Sequence, residues 1–304
     1  MRILRSFAAV SAVVILGWGG PRARADEVKH PWPDIEYRFT QTTDPAPEQI
    51  HLAVIDLSDH HATVHVARGG ADPDGDGPAT TTLMGATKVA AREGFDLAVN
   101  GDYFVLVKSK LKDAEGVAAQ QVFKAAAPAT VLGPAMTDGK LWVKSKEARP
   151  TLVVKKDGTV TIETLKGAAK NAEQEIAGNV MLVEHGKPLY QDEPDADFVH
   201  QKNTNRQRHP RTVVGVSRDG EKLYILVVDG RSEISRGMNW KELAKTIADA
   251  GAYDALNLDG GGSSTFVLRD PATNELQILN HPSDKKERSV ANVLGVKIET
   301  KNAK

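Results

Sequence analysis

Apolar and polar residues alternate in short runs along most of the chain, and helical spacing occurs only twice. His51–Leu57 and Ala62–Arg68 predict strands, with Leu52, Val54 and Ile55 in the first and Val64 and Val66 in the second. On that second strand His61 and His65 fall on one face and His60 on the other, surface histidines or an incomplete metal pair. Leu97–Asn100, the region of Val131, Leu141–Val143, Leu152–Val154, Val160–Leu165 and Val180–Glu184 continue the pattern, with turns at Asp138-Gly139 and Asp157-Gly158. Lys166–Ile176 reads as a short helix or a loop, and Asp192–Asn205 as an exposed polar loop. Further strands are predicted at Val213–Ser217, Leu223–Val228, Tyr253–Leu258, Thr265–Leu268, Leu276–Leu279 and Val293–Ile298.

The first helix is predicted over Leu83–Glu93, through Leu83, Ala86, Val89 and Ala90, with Gly94 as its stop. The second, Trp240–Ala250, is the clearest element. Asn239 caps it, Glu242 completes a capping box, Trp240, Leu243, Ala244 and Ile247 form its apolar stripe, and Gly251 ends it. The resulting expectation is one α+β domain over residues 51–300. A mixed or largely antiparallel sheet carries a few packed helices and gathers the functional loops at one end. Residues 26–50, rich in proline (Pro31, Pro33, Pro45, Pro47), read as an extended lead-in.

Charge and composition add a location. Arg2 and Arg5 precede the apolar run Phe7–Trp18, and Ala23-Arg24-Ala25 is an A-x-A-type cleavage site, so residues 1–25 read as a signal peptide. Losing its four arginines takes Lys and Arg from 39 to 35 against 40 Asp and Glu, a net charge of −5. Such a surface argues against non-specific nucleic-acid binding. No later stretch is apolar enough to span a membrane, and the sequence has no cysteine. The expectation is a bacterial periplasmic or secreted protein that relies on core size instead of disulfides. The sequence does not fix its oligomeric state.

Candidate chemistry concentrates at strand ends. Asn257-Leu258-Asp259 is followed by Gly260-Gly261-Gly262 and Ser263-Ser264, whereas a tight turn alone needs only one glycine. Successive glycines suit close approach of a ligand to bare backbone amides. Asn100-Gly101-Asp102 repeats the theme, where a hairpin turn is the plainer reading. Asp229, Glu287, Arg211, Arg231, Arg288, Asn280 and Asn292 stand at other strand ends, each open to a structural ion-pair or amide role. Paired carboxylates suit glycoside cleavage, and arginines with bare amides suit phosphate. Asp72, Asp74 and Asp76 form the first half of a calcium loop, but Leu83 stands where its closing Glu belongs. Walker A, G-x-S-x-G, H-E-x-x-H and strand-linked G-x-G-x-x-G patterns are absent.

Taken in order, Asn100-Gly101-Asp102-Tyr103-Phe104, Arg211-Thr212, Asp229-Gly230-Arg231, Asn257 to Ser263, and Asn280, Pro282, Glu287-Arg288 and Asn292 resemble the phosphodiester glycosidase family. The resemblance covers most of the chain from about residue 50 onward. It implies hydrolysis of the bond between a sugar's anomeric carbon and a phosphodiester. Arg211, Arg231 and Arg288 would hold the phosphate with the amides of Gly260 to Gly262. Asp259, with Asp229 or Glu287, would activate water or stabilise the transition state. Asn100, Asp102 and Asn257 would orient sugar hydroxyls. No cofactor is required, although a divalent cation such as calcium is a candidate. The chain lacks the cysteine-rich extensions and membrane anchor of animal members, which points to phosphodiester-linked glycans of an envelope or exopolysaccharide, or to scavenged ones. Two other classes stay open: a non-catalytic glycan-binding protein, and a glycosidase or lyase acting on another acidic sugar.

Overall fold

A computed structural model describes residues 25–107, 123–192 and 207–299. The signal-like segment, apart from Ala25, and the polar stretch after Asp192 lie outside these residues. The largest sheet has eight strands in the order Ala25–Trp32, Ile35–Thr42, Glu48–Asp56, Lys222–Val228, Arg211–Val216, Asp254–Asn257, Val180–Glu184, Lys187–Pro188. A five-stranded sheet runs Leu276–Ile278, Phe266–Arg269, Leu97–Asn100, Asn292–Ile298, Ala62–Arg68. A second five-stranded sheet runs Lys140–Val143, Ala135–Thr137, Ala172–Ala177, Arg149–Lys155, Val160–Leu165.

The three sheets share one apolar core. Ile55, Val214, Ile225 and Leu256 enter it from the first, Leu97, Val99, Phe266 and Leu294 from the second, and Leu152, Val160 and Ile176 from the third. Alternate residues of the same strands face outward onto helices. Val213 and Leu226 meet Leu243, Ala244 and Ile247 of the helix Trp240–Asp249. Ala98, Val267 and Val293 meet Val89 and Ala90 of the helix Ala86–Glu93. Strands covered on both faces read as continuous apolar runs such as Val213–Val216 and Leu223–Val228, which is why the sequence marks them clearly. The Asn239–Glu242 capping box forms as expected.

Three expectations are corrected. All strand pairings within these three sheets are antiparallel, as the largely antiparallel alternative expected, but the fold is mostly β with two helices among the described residues and not α+β. The Lys166–Ile176 region ends in the strand Ala172–Ala177. Its polar residues are buried: Gln174 accepts from the Val66 amide at 3.1 Å, and Glu175 from the Ala169 amide at 2.6 Å. The strand Ala62–Arg68 starts after His60 and His61, which sit in the preceding turn, where the His61 ring meets Asp59 at 2.8 Å. The lead-in is extended as expected, but it is built into the edge of the main sheet as a hairpin.

Candidate functional site

Two strand ends from different sheets meet at the glycine loop. The Asp259 amide donates to the Gly101 carbonyl at 3.0 Å, and the Leu258 amide to the Thr212 carbonyl at 2.9 Å. Asn100 rivets this junction. Its Nδ2 donates to the Asp259 carbonyl at 2.7 Å, while its Oδ1 accepts from the Thr212 hydroxyl at 2.7 Å and the Thr265 amide at 3.2 Å. Fully buried and fully engaged, Asn100 serves the scaffold. Asn257 is also fully buried; its Nδ2 donates to the Tyr103 hydroxyl at 2.9 Å and to the Leu258 carbonyl at 2.8 Å. Its Oδ1 has no hydrogen-bond partner, nor does the buried hydroxyl of Ser264.

Two guanidinium groups lie over the glycines. Gly261 has φ +62°, and a Cβ there would stand 3.0 Å from Arg231 Nη2. A Cβ on Gly262 would stand 2.0 Å from Arg288 Nη2, so only glycine lets Arg288 settle there. Arg231 itself has φ 62°, a left-handed conformation costly for a side chain of its size. It is exposed, and its Nη2 donates to His209 Nδ1 at 3.5 Å. Burial, followed by the charges of Arg211 and Arg231, depresses His209 to about 4, so its ring is neutral and can accept. Arg211 is buried and donates to the Met238 and Gln207 carbonyls at 3.0 and 3.1 Å. Burial lowers its pKa to about 10, still charged at neutral pH. Arg288 is clamped by Asp284, with contacts of 2.9 and 2.7 Å, and lies 4.5 Å above the Phe123 ring.

The candidate carboxylates separate into different jobs. Asp259 is half-buried and accepts from the Gly260 amide at 2.9 Å. Burial lifts its pKa to about 6 against the opposing pull of hydrogen bonding and Arg288. Asp229, only 2% exposed, receives Asn280 Nδ2 at 3.1 Å and the His281 amide at 2.9 Å. It holds two loops together from beneath. Glu287 is engaged by a helix end: its Oε1 accepts from the Thr87 amide at 2.7 Å and the Thr87 hydroxyl at 3.0 Å. It thereby caps the helix Ala86–Glu93, whose N-cap residue Gly85 has no side chain to do so. Asp102 is locked to Asn292, accepting from its Nδ2 at 2.6 Å while donating its own amide to Oδ1 at 2.8 Å. Burial raises Asp102 to about 8. The structure thus brings Asp259, Arg211, Arg231, Arg288 and Gly260–Ser263 together, with Asn257 below, and gives Asn100, Asp102, Asp229 and Glu287 positions in the framework.

The sequence pattern attaches no role to Tyr103, His209, His51 or His281. Tyr103 lies within a marked motif and His209 and His281 adjoin others, but His51 lies in an ordinary strand pattern. At the calcium-like run, Asp72 Oδ1 accepts from the amides of Asp74 and Gly75 at 3.2 and 2.9 Å, closing a turn. Among the described residues, a different trio, Asp34, Asp59 and His61, has ligand atoms within 4.8 Å of one another.

Comparison with known proteins supplies the family. A mouse N-acetylglucosamine-1-phosphodiester alpha-N-acetylglucosaminidase is 30% identical over 166 residues, covering 50% of this chain and 30% of the mouse protein. The chain therefore matches less than a third of that relative's length. The solved catalytic domain of the zebrafish protein of that name, auto-inhibited by its pro-peptide, aligns with TM-score 0.58 and 22% identity over 96% of this chain and 88% of that one. A Burkholderia pseudomallei protein provisionally designated as exported aligns with TM-score 0.60 and 16% identity, over 85% and 77% of the two chains. These structural likenesses concern the fold. The family description phosphodiester glycosidase matches residues 93–297, well over half of the sequence and all of the glycine-loop junction, and the chain belongs to that family.

Proposed function

We propose that the protein is an exported hydrolase that cleaves the bond between a sugar's anomeric carbon and a phosphodiester. One observation carries this reading: Arg231 and Arg288 lie over the side-chain-free backbone of Gly261 and Gly262, beside a carboxylate at Asp259 lifted to about 6. Paired guanidinium groups over bare backbone suit a phosphate, and a half-buried carboxylate beside them suits the sugar carbon to which it is attached. Arg211, buried behind Arg231, adds a third charge.

In this mechanism the arginines bind the phosphodiester and stabilise the charge that builds on its oxygen as the C1–O bond breaks. The Gly260 and Gly261 amides already serve Asp259 and the Pro210 carbonyl, so the backbone contribution comes from Gly262. Asp259 activates water or supports the oxocarbenium-like transition state. The unpartnered Asn257 Oδ1, beside the Tyr103 hydroxyl, accepts a sugar hydroxyl in place of Asn100 and Asp102, which are engaged elsewhere. Export is supported by the signal-like residues 1–25 and by the designation of the Burkholderia relative. Envelope, exopolysaccharide or scavenged glycans bearing anomeric phosphodiesters are the proposed substrates.

The test is release of free sugar from UDP-N-acetylglucosamine and from a methyl ester of a sugar 1-phosphate. Wild type and Asp259→Asn are assayed together, with and without a chelator. Turnover by wild type that falls at least about 10³-fold in the variant supports the reading. Glycan binding with no turnover on any anomeric phosphodiester sinks it in favour of a binding protein. The chelator arm decides whether a divalent cation, with Asp72, Asp74 and Asp76 as candidate ligands, takes part.

A further inference from the structure

Both oxygens of the buried Asp229 are already engaged within the protein, yet more converges on it than loop anchoring requires. Its two oxygens accept from the His281 amide at 2.9 and 3.0 Å, which alone fixes that loop. The His281 ring adds a second link, Nδ1 lying 3.2 Å from Asp229 Oδ2. Behind the carboxylate, His51 Nε2 lies 3.5 Å from the same oxygen, and the Tyr37 hydroxyl is 2.8 Å from His51 Nδ1. Tyr37, His51 and Asp229 are all buried, whereas the His281 side chain is 66% exposed. A buried polar cluster, interrupted at His51 Nε2, which has no hydrogen-bond partner, therefore backs an imidazole that is itself largely exposed.

The position of that ring matters. Asn280, its neighbour, also donates to the Ser264 carbonyl at 3.1 Å, pinning the loop to the end of the glycine turn. Three residues beyond His281, Asp284 holds Arg288 over Gly262, and two residues beyond Asp229, Arg231 covers Gly261. Asp229 thus joins the loop bearing one arginine to the loop bearing the other, and His281 emerges at their junction.

We propose that His281 is the proton-transfer residue of this site, held with Nε2 outward by Asp229 as its positioning residue. This rests on the proposed phosphodiester glycosidase reading and deepens it. An ionised Asp229 only accepts, so the neutral ring carries its proton on Nδ1 and presents a lone pair at Nε2. When charged, the ring donates from Nε2. In the cleavage step the C1–O bond breaks and its electron pair stays on the phosphate oxygen. Water oxygen bonds to C1, and one water proton passes to Asp259. The His281 imidazolium gives its Nε2 proton to the departing phosphate, so the products are free sugar and a singly protonated phosphomonoester. Asp259 and His281 then return to their starting states by exchanging the proton through solvent. A phosphomonoester's second pKa is about 6, so the departing phosphate oxygen can take up and keep a proton near neutral pH. The ionisable group in contact with the ring is Asp229 at Nδ1; His51 approaches the same carboxylate from the other side, and Arg231 and Asp284 lie along the two joined loops.

The experiment compares wild type with His281→Gln and His281→Ala on an anomeric phosphodiester across pH 5 to 9. The ring is exposed, so both variants should fold, and thermal melts check this. The expected result is a kcat loss of about 10²-fold with KM nearly unchanged. The wild-type fall in kcat on the alkaline side should flatten, and added imidazole should restore part of the His281→Ala rate. A kcat within about threefold of wild type, with that alkaline fall unaltered, overturns the proposal. Nitrogen-15 NMR of the wild-type imidazole reads the pairing independently of turnover. Neutral His281 protonated on Nδ1 supports the dyad, and protonation on Nε2 overturns it. If wild type hydrolyses no anomeric phosphodiester, the functional reading has failed, and the tautomer alone judges the pairing of His281 with Asp229.

Discussion

Two strand ends in this molecule are written almost alike and have been put to opposite uses. Leu97–Asn100 runs into Gly101-Asp102, and Asp254–Asn257 into Leu258-Asp259. The first ends inside the protein. Asp102 is 3% exposed, bound to Asn292 and to the Ala177 amide at 3.1 Å, and ties the third sheet to the second. The second ends at the surface, where Asp259 accepts from the Gly260 amide and has two guanidinium groups nearby. Burial raises both carboxyls, Asp102 to about 8 and Asp259 to about 6. The shared pattern shows that an Asn-x-Asp strand end is a device for stopping a strand and placing a carboxylate. Whether that carboxylate does chemistry depends on what the neighbouring sheet brings to it.

The sharpest way to break the comparison is to neutralise the outer carboxylate. Asp259→Asn should lower kcat at least about 10³-fold and raise stability at pH 8 by about 1 kcal/mol, since a raised pKa marks a charge that folding disfavours. Next, Gly262→Ala should displace Arg288 and cost about 10²-fold in kcat/KM, with a far smaller change in melting temperature, because its Cβ would fall 2.0 Å from Nη2. Asp102→Ala should do the reverse. It strands the Ala177 amide and Asn292 and should cost about 3 kcal/mol in denaturant unfolding, with any surviving folded protein still active. The same two carboxyls predict a pH trend. Both ordinary values are 3.8 and both folded values are higher, so the folded state holds the extra protons. Stability should fall as pH rises from about 4 towards 8, with the Asp259 contribution lost by about 6 and that of Asp102 by about 8. The smallest effect is at Arg231. Replacement by Gly should relieve its φ of 62° and gain about 1 kcal/mol over replacement by Ala, while both variants lose phosphate binding equally.

The difference between these strand ends also explains how far the sequence can be read. Strands with apolar residues on both faces, and the helix Trp240–Asp249 with its capping box, are visible because local pattern and tertiary environment agree. Ala172–Ala177 is hidden because Gln174 and Glu175 are buried polar residues whose partners lie in other strands and loops. The hairpin Ala25–Trp32 and Ile35–Thr42 is masked by prolines that sit at its ends and turns. The glycine loop and its arginines are legible as motifs. The division of labour among the acids is not, because it depends on pairs such as Asp102 with Asn292, 190 residues apart, and Glu287 with Thr87, 200 apart. A carboxylate that caps a helix and one that faces the glycine loop are both just acids at strand ends until their partners are known.

The two ends of the eight-stranded sheet carry a last consequence. One outer strand, Ala25–Trp32, carries the polar side chains of Asp26, Glu27, Lys29 and His30 and reaches a proline at Pro31; the other, Lys187–Pro188, is two residues long and ends in a residue with no amide hydrogen. Neither offers a second molecule a long, flat ladder to extend. Crowding many copies together should therefore not lengthen this eight-stranded sheet from either of its edges.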